Sequence, residues 1–381
     1  MAQSRPTPVV SAAPIETGVV AELPASVPFV GPEALERRRG AAFRARLGAN
    51  ESVFGPSPRA VEAMTRAARD VWMYGDPELH DLRHDLSAHH GVHPEEIVVG
   101  GGIDGLLGLA CRLVVEPGLG VVTSLGAYPT FNYHVAGFGG VLTRVPYVHD
   151  REDLDGLAAA VIATDARLVY VANPDNPMGS WWPAEAVTEF LDRVPPTTLI
   201  CLDEAYADTA PAEALPQIDT SRPNLLRLRT FSKAYGLAGL RVGYGIGARH
   251  LVQSFNKIRN HFGVGRIAQE GARAALADQA HLAATVERIG QARAKITAIA
   301  RANGLSALPS ATNFVAIDCG ADGAFAKAVL EALAEDGVFV RMPGVAPLDR
   351  CIRVSVGTPE LLDIFNQALP LALGRVRSLA G

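Results

Sequence analysis

The chain has few cysteines, no cluster of one charge sign and no long apolar run, and each shortage removes a class of function. Cys111, Cys201, Cys319 and Cys351 stand far apart, with no Cys-x-x-Cys pair. That spacing argues against a disulfide scaffold and a zinc site, so no metal is expected, and it fits the reducing cytoplasm. The longest basic run is Arg37-Arg38-Arg39 and the net charge is -5. Nucleic acid is therefore not an expected partner. No apolar stretch reaches about 18 residues, so no membrane span is expected. The first 30 residues hold five prolines and no unbroken apolar core. They read as a loose arm rather than a signal peptide.

What is present is ordinary globular material: 381 residues, 48% hydrophobic and 20% charged. At about 150 residues per domain this suggests two domains. Short apolar runs alternate with helical patterns at 97–99, 120–124, 141–146, 167–172, 198–203, 224–230 and 241–246. Such alternation predicts an α/β domain with a mostly parallel sheet covered by helices. The stretch 267–303 is alanine-rich, free of proline and helically spaced. It predicts one long helix entering a second, smaller α+β domain with strands at 313–318, 338–341 and 351–356. The expected division is 1–50 as arm and part of the small domain, 51–266 as large domain and 267–381 as small domain.

Ligands of such sheets sit beyond the carboxyl ends of the strands, so the residues following each strand are the candidates. Lys233 follows the run 224–230, with Ser232 beside it and Arg241 downstream. An amine there suits a Schiff base with a carbonyl cofactor, while Ser and Arg hold an anion. Asp203-Glu-Ala-Tyr206 closes the run 198–203. A carboxylate at that end would pair with a protonated pyridine nitrogen, and a tyrosine or the Asn176 amide would bond a ring oxygen. Gly100-Gly-Gly-Ile103-Asp104 opens a helix whose amides would meet a phosphate. Each has a plain alternative when read alone: Lys233 a solvated lysine, Asp203 a helix cap, Asn176 a turn, and the glycines a weak signal without G-x-G-x-x-G spacing.

Together, in this order, the segments resemble the pyridoxal-phosphate enzymes of fold type I, aminotransferase class I/II. Within that class the chain is most similar to the histidinol-phosphate aminotransferase group, from Leu47-Gly-Ala-Asn-Glu-Ser52 to Cys351-Ile-Arg-Val-Ser-Val-Gly-Thr358. The resemblance implies pyridoxal 5'-phosphate as cofactor and Lys233 as the aldimine-forming, proton-shuttling base. It implies Asp203 at the pyridine nitrogen, Tyr206 and Asn176 at the ring oxygen, and Phe131 stacked on the ring. Ser232, Arg241 and the Ile103 and Asp104 amides would hold the phosphate. Tyr74 would reach it from the other subunit of a homodimer with composite sites. Arg353, with Arg341 and Asn50 nearby, would take the substrate's anion. The implied partners are a small-molecule amino donor and a 2-oxo acid acceptor. A lyase, cyclase or decarboxylase of secondary metabolism using the same cofactor is the alternative. Three positions depart from the usual pattern: Gly75 in place of proline, Gly101 in place of asparagine, and Met178 in place of threonine.

Overall fold

The computed structural model describes residues 15–25 and 30–380. Its strands, in chain order, are β1 (Ala45–Arg46), β2 (Ile97–Gly100), β3 (Gly120–Ser124), β4 (Val141–Val145), β5 (Leu168–Ala172), β6 (Leu199–Asp203), β7 (Leu225–Thr230), β8 (Gly243–Gly247), β9 (Ser306–Ala307), β10 (Phe314–Asp318), β11 (Val338–Phe339) and β12 (Cys351–Ser355). Seven of them form one sheet in the order β2-β8-β7-β6-β5-β3-β4. The pairs from β7 across to β4 are parallel, and β8 runs antiparallel to both neighbours.

The central strands are apolar throughout because helices cover both faces. Every residue of β5 and β6 is buried. Alternate residues enter opposite cores, as the two-residue period of a strand requires. Leu168, Tyr170 and Cys201 pack beneath the helix Gly102–Val114, with Leu106, Leu107 and Phe131. Val169, Val171, Ile200 and Leu202 pack on the other face with Leu157, Val161 and Phe190. This parity matters for the site: Tyr170 and Asp203 lie on the same face.

A second core gathers around the antiparallel order β12-β10-β9 and the parallel pair β1-β11. Residues just after β1 are tied to it, since Ser355 N donates to Leu47 O at 2.8 Å. The expected single helix over 267–303 is two helices, Arg266–Ala277 and Gln279–Ala302. Asp278 makes the break. Its carboxylate accepts from His281 N at 3.3 Å, capping the second helix, and from the Ser57 hydroxyl at 2.5 Å. The first helix buries Ala268, Ala272 and Leu276 against the large sheet's core, and the second buries Ile289, Ile296 and Ile299 in the small one. Along these two helices the change of core comes at Asp278.

Candidate active site

Five strand ends converge on one cleft. Its inner part, of about 130 Å³, is lined by Ile103, Asp104, Tyr128, Tyr170, Asn176, Asp203, Tyr206, Ser232, Lys233 and Arg241 among others. The sequence-derived candidates are thus largely brought together. At one edge Gly100 pairs with Gly243, and Gly243 with Thr230. The helix Gly102–Val114 starts here with no side-chain cap from Gly101. Uncapped amides at a helix start form an anion site. Close approach is built in. A β-carbon on Gly102, at φ +80°, would strike the Arg241 guanidinium, and one on Gly243 would lie 2.8 Å from Ile103 N. Arg241 has φ 55°, a left-handed conformation uncommon outside glycine. Its Nη1 donates to the Ser232 hydroxyl at 3.3 Å and to Ala238 O at 3.0 Å. Asp104 stands at the same helix start, with His134 Nε2 3.1 Å from its Oδ1.

Asp203 closes β6 beneath the cleft and is buried. Tyr170 Oη donates to its Oδ2 at 2.8 Å and Ala205 N to its Oδ1 at 2.9 Å. Burial pushes its pKa up to about 6, against the pull of those two donors and of Lys233. Lys233 is half-buried, and its Nζ donates to Asn50 O at 3.2 Å. Desolvation first, then the Arg353 charge, lowers its pKa to about 8, with Asp203 opposing. Two groups of opposite sign are thus driven toward neutrality in one cavity, which is common at catalytic sites.

Asn50 ties these parts together. It adopts φ 55°, which asparagine tolerates better than most residues. Its Nδ2 donates to Tyr206 Oη at 3.0 Å, and its Oδ1 accepts from the Ser355 hydroxyl at 3.0 Å. Because Tyr206 Oη is the acceptor here, its own proton remains available to another partner. Burial raises the pKa of that hydroxyl, keeping it protonated. Asn176 accepts from Arg353 Nη1 through its amide oxygen, which leaves its NH2 as a donor.

Beyond Lys233 the cleft widens to about 540 Å³ between the large sheet and the loop Arg341–Val345. Arg353 and Arg341 both line it, and their backbones pair antiparallel. Burial lowers the Arg353 pKa to about 10, and its Nε is a buried donor with no partner among the described residues. Arg341 Nη2 donates to Val30 O at 2.9 Å.

One expectation needs correction. Phe131 does not face the cleft. It is fully buried, with its ring stacked on Tyr170 at 4.9 Å between centroids and 23° between planes. Tyr128, at the cap of the helix Pro129–Gly137, lines the cavity instead. The signal was position: Tyr128 directly follows the β3 loop, whereas Phe131 is one turn into a helix that packs on the core. Tyr74, expected at the partner's phosphate, does not line the cleft of its own chain. It is 80% exposed, and its ring rests on Phe262 at 4.9 Å. Sequence reasoning missed Tyr128, Tyr170 and Thr230. Tyr170 lies hidden inside an apolar strand, where only the two-residue parity with Asp203 marks it.

The family profile "Aminotransferase class I and II" matches residues 45–369. The histidinol-phosphate aminotransferase 2 of Ralstonia nicotianae is 40% identical over 338 residues, covering 88% of this chain and 90% of the relative. That of Moorella thermoacetica is 35% identical over 341 residues, covering 88% and 87%. A crystal structure of the Sinorhizobium meliloti histidinol-phosphate aminotransferase, in complex with pyridoxal-5'-phosphate, superposes with a TM-score of 0.93 at 55% identity, covering 97% of this chain and 99% of that one. The chain belongs to the class I and II aminotransferases and is a pyridoxal-phosphate-dependent transferase of fold type I.

Proposed function

We propose that this enzyme moves the amino group of an amino alcohol phosphate, histidinol phosphate being the candidate, to a 2-oxo acid. The observation that carries this reading is the charge of the outer cleft: its titratable lining is Tyr128, Lys233 and three arginines, without a carboxylate among the described residues. A phosphate ester suits such a wall better than a neutral amine. The names of the relatives support the same substrate.

The inner cavity fits pyridoxal phosphate on its own chemistry. Glycines at 102 and 243 leave the helix start open beside Ser232 and Arg241, so these residues and the Ile103 and Asp104 amides would hold the phosphate. Tyr128 lies where an aromatic would cover the ring. Among the described residues Asp203 has only neutral hydrogen-bond donors, so its carboxylate is left to hold a proton at the ring nitrogen. Tyr206 and Asn176 would donate to the ring oxygen. When bound, pyridoxal phosphate supplies a carbonyl carbon for the amino group and a ring that withdraws electrons from the substrate Cα.

The protein's part is positioning and proton transfer. The Lys233 amine, held low in pKa, would take the proton from the substrate Cα and pass it to the cofactor's aldehyde carbon, across the intervening nitrogen. Arg353, with Arg341 and Asn50, fixes the substrate's anion and thereby the direction of the Cα–H bond. The exposed group Val71, Trp72, Tyr74 and Phe262 supports a homodimer, with Tyr74 reaching the partner's phosphate site. The four free, buried cysteines support a cytoplasmic setting, and no described helix is long and apolar enough to cross a membrane.

The test is a donor half-reaction followed by the cofactor's visible absorption. Histidinol phosphate should discharge the band at far lower concentration than histidinol. Equal response to the two, or response to an ordinary amino acid alone, would remove the phosphate ester from the reading.

A further inference from the structure

Arg144 has no place in the site described so far, yet it lines the same outer cleft as Arg341, Arg353 and Lys233. It lies near the carboxyl end of β4, the edge strand, paired with Thr123 of β3. β4 is two strand spacings from β5, about 10 Å. The loop after β5 carries Asn176, which Arg353 engages. Arg144 therefore stands on the large-sheet side of the cleft, away from the Arg341–Arg353 pair.

The other two guanidiniums are engaged: Arg353 with Asn176, and Arg341 with Val30 O. The Arg144 side chain has no hydrogen bond or ion pair among the described residues. An unpaired surface arginine is ordinary in itself. Here it shares a concave site with two other guanidiniums and an amine, and the described lining holds no acid to balance them. Like charges in one concave site concentrate potential there and favour a ligand bearing more than one negative charge. If Arg353 takes one anionic group, the group at the other end of the molecule meets β4.

We propose that Arg144 is a specificity-determining residue that binds the second anionic group of a doubly anionic substrate, the group distal to the one held by Arg353. The chemistry suits a dicarboxylic 2-oxo acid, whose far carboxylate would bridge to β4. Histidinol phosphate, whose single anionic group is assigned to Arg353, is the control arm of the test. The inference rests on the reading of this cleft as the substrate site.

The experiment measures kcat/KM for two substrate pairs with the wild-type holoenzyme, Arg144→Gln and Arg144→Lys. The acceptor pair is 2-oxoglutarate and 2-oxopentanoate, which keeps the carbon chain and lacks the second carboxylate. The donor pair is histidinol phosphate and histidinol. Loss of one charge-assisted contact should lower the 2-oxoglutarate preference of Arg144→Gln by about 10–100-fold, with Arg144→Lys between it and wild type. A loss confined to the donor pair would overturn the proposal, because the single anionic group of histidinol phosphate is the one assigned to Arg353. Unchanged ratios in both pairs, or an equal fall for all four substrates, would overturn the proposal. A wild-type enzyme that discriminates within a pair, with unchanged variants, defeats Arg144 alone. A wild-type enzyme that turns over none of these substrates defeats the reading of the cleft itself.

Discussion

The amine of Lys233 donates to the backbone carbonyl of Asn50 at 3.2 Å, joining a loop of the large sheet to the segment that runs beside the small one. The same Asn50 binds Tyr206 and Ser355 through its side chain. One residue thus sets the spacing of the Lys233 amine, the Tyr206 hydroxyl and the strand that carries Arg353.

The first prediction concerns the base. The neutral amine is the nucleophile toward an aldehyde, and the Lys233 pKa is lowered from 10.5 to about 8. Capture of free pyridoxal phosphate by the apoenzyme should speed up with pH, with a midpoint near 8. Stopped-flow absorbance measures it. A rate still climbing steeply near pH 10 would mean that burial does not lower this amine, about two units being at stake.

Asp203 gives a stability prediction with a defined sign. Its folded pKa is raised from 3.8 to about 6. The folded apoenzyme therefore binds this proton more readily than the unfolded chain, and stability falls as pH rises through 3.8 to about 6. Asp203→Asn should lack that component, making the apoenzyme more stable than wild type above pH 6, by the order of 2–3 kcal/mol. Urea titrations of both proteins at pH 4 and pH 8 measure the difference. The same variant should bind cofactor and turn over poorly, so stability and activity move in opposite directions.

Tyr170→Phe keeps the stacking on Phe131 and removes the hydroxyl that donates to Asp203 at 2.8 Å. With one buried acceptor left short, stability should fall by about 1–3 kcal/mol. The Asp203 pKa should rise further, because a donor to its charged form is gone. Denaturant unfolding checks the first effect. The pH profile of the half-reaction, displaced toward higher pH on its acid side, checks the second.

Tyr74→Phe separates a contact to the partner's phosphate from simple packing, since the ring that meets Phe262 remains. Cofactor retention should weaken by about 10–100-fold with the dimer intact. Sedimentation equilibrium and cofactor titration together measure this. An active monomer would remove the composite site, and unchanged affinity would remove the phosphate contact alone.

The sheet was legible because its strands are short apolar runs ended by polar or glycine-rich loops. β5 and β6, buried on both faces, stand out for that reason. Two-residue strands such as β1 and β9 carry no period to read. The break at Asp278 escaped notice because alanine-rich sequence on both sides keeps helical spacing, and one capping carboxylate interrupts it. In the site, residues at strand ends were legible through their loops. Phe131 and Tyr128 were confused because both are aromatics within one helical turn, and only the direction of the helix against the core distinguishes them. Arg144 was invisible for a different reason: its meaning depends on a loop some 200 residues away, Arg341–Val345, closing the cleft opposite it.

The most direct test of the account is borohydride reduction of the holoenzyme followed by peptide mass mapping. The reduced cofactor should be found on the peptide containing Lys233 and nowhere else, and Lys233→Ala should carry none. A stable adduct on another lysine, with Lys233 unmodified, would contradict the assignment of the base on which the rest of the site is built.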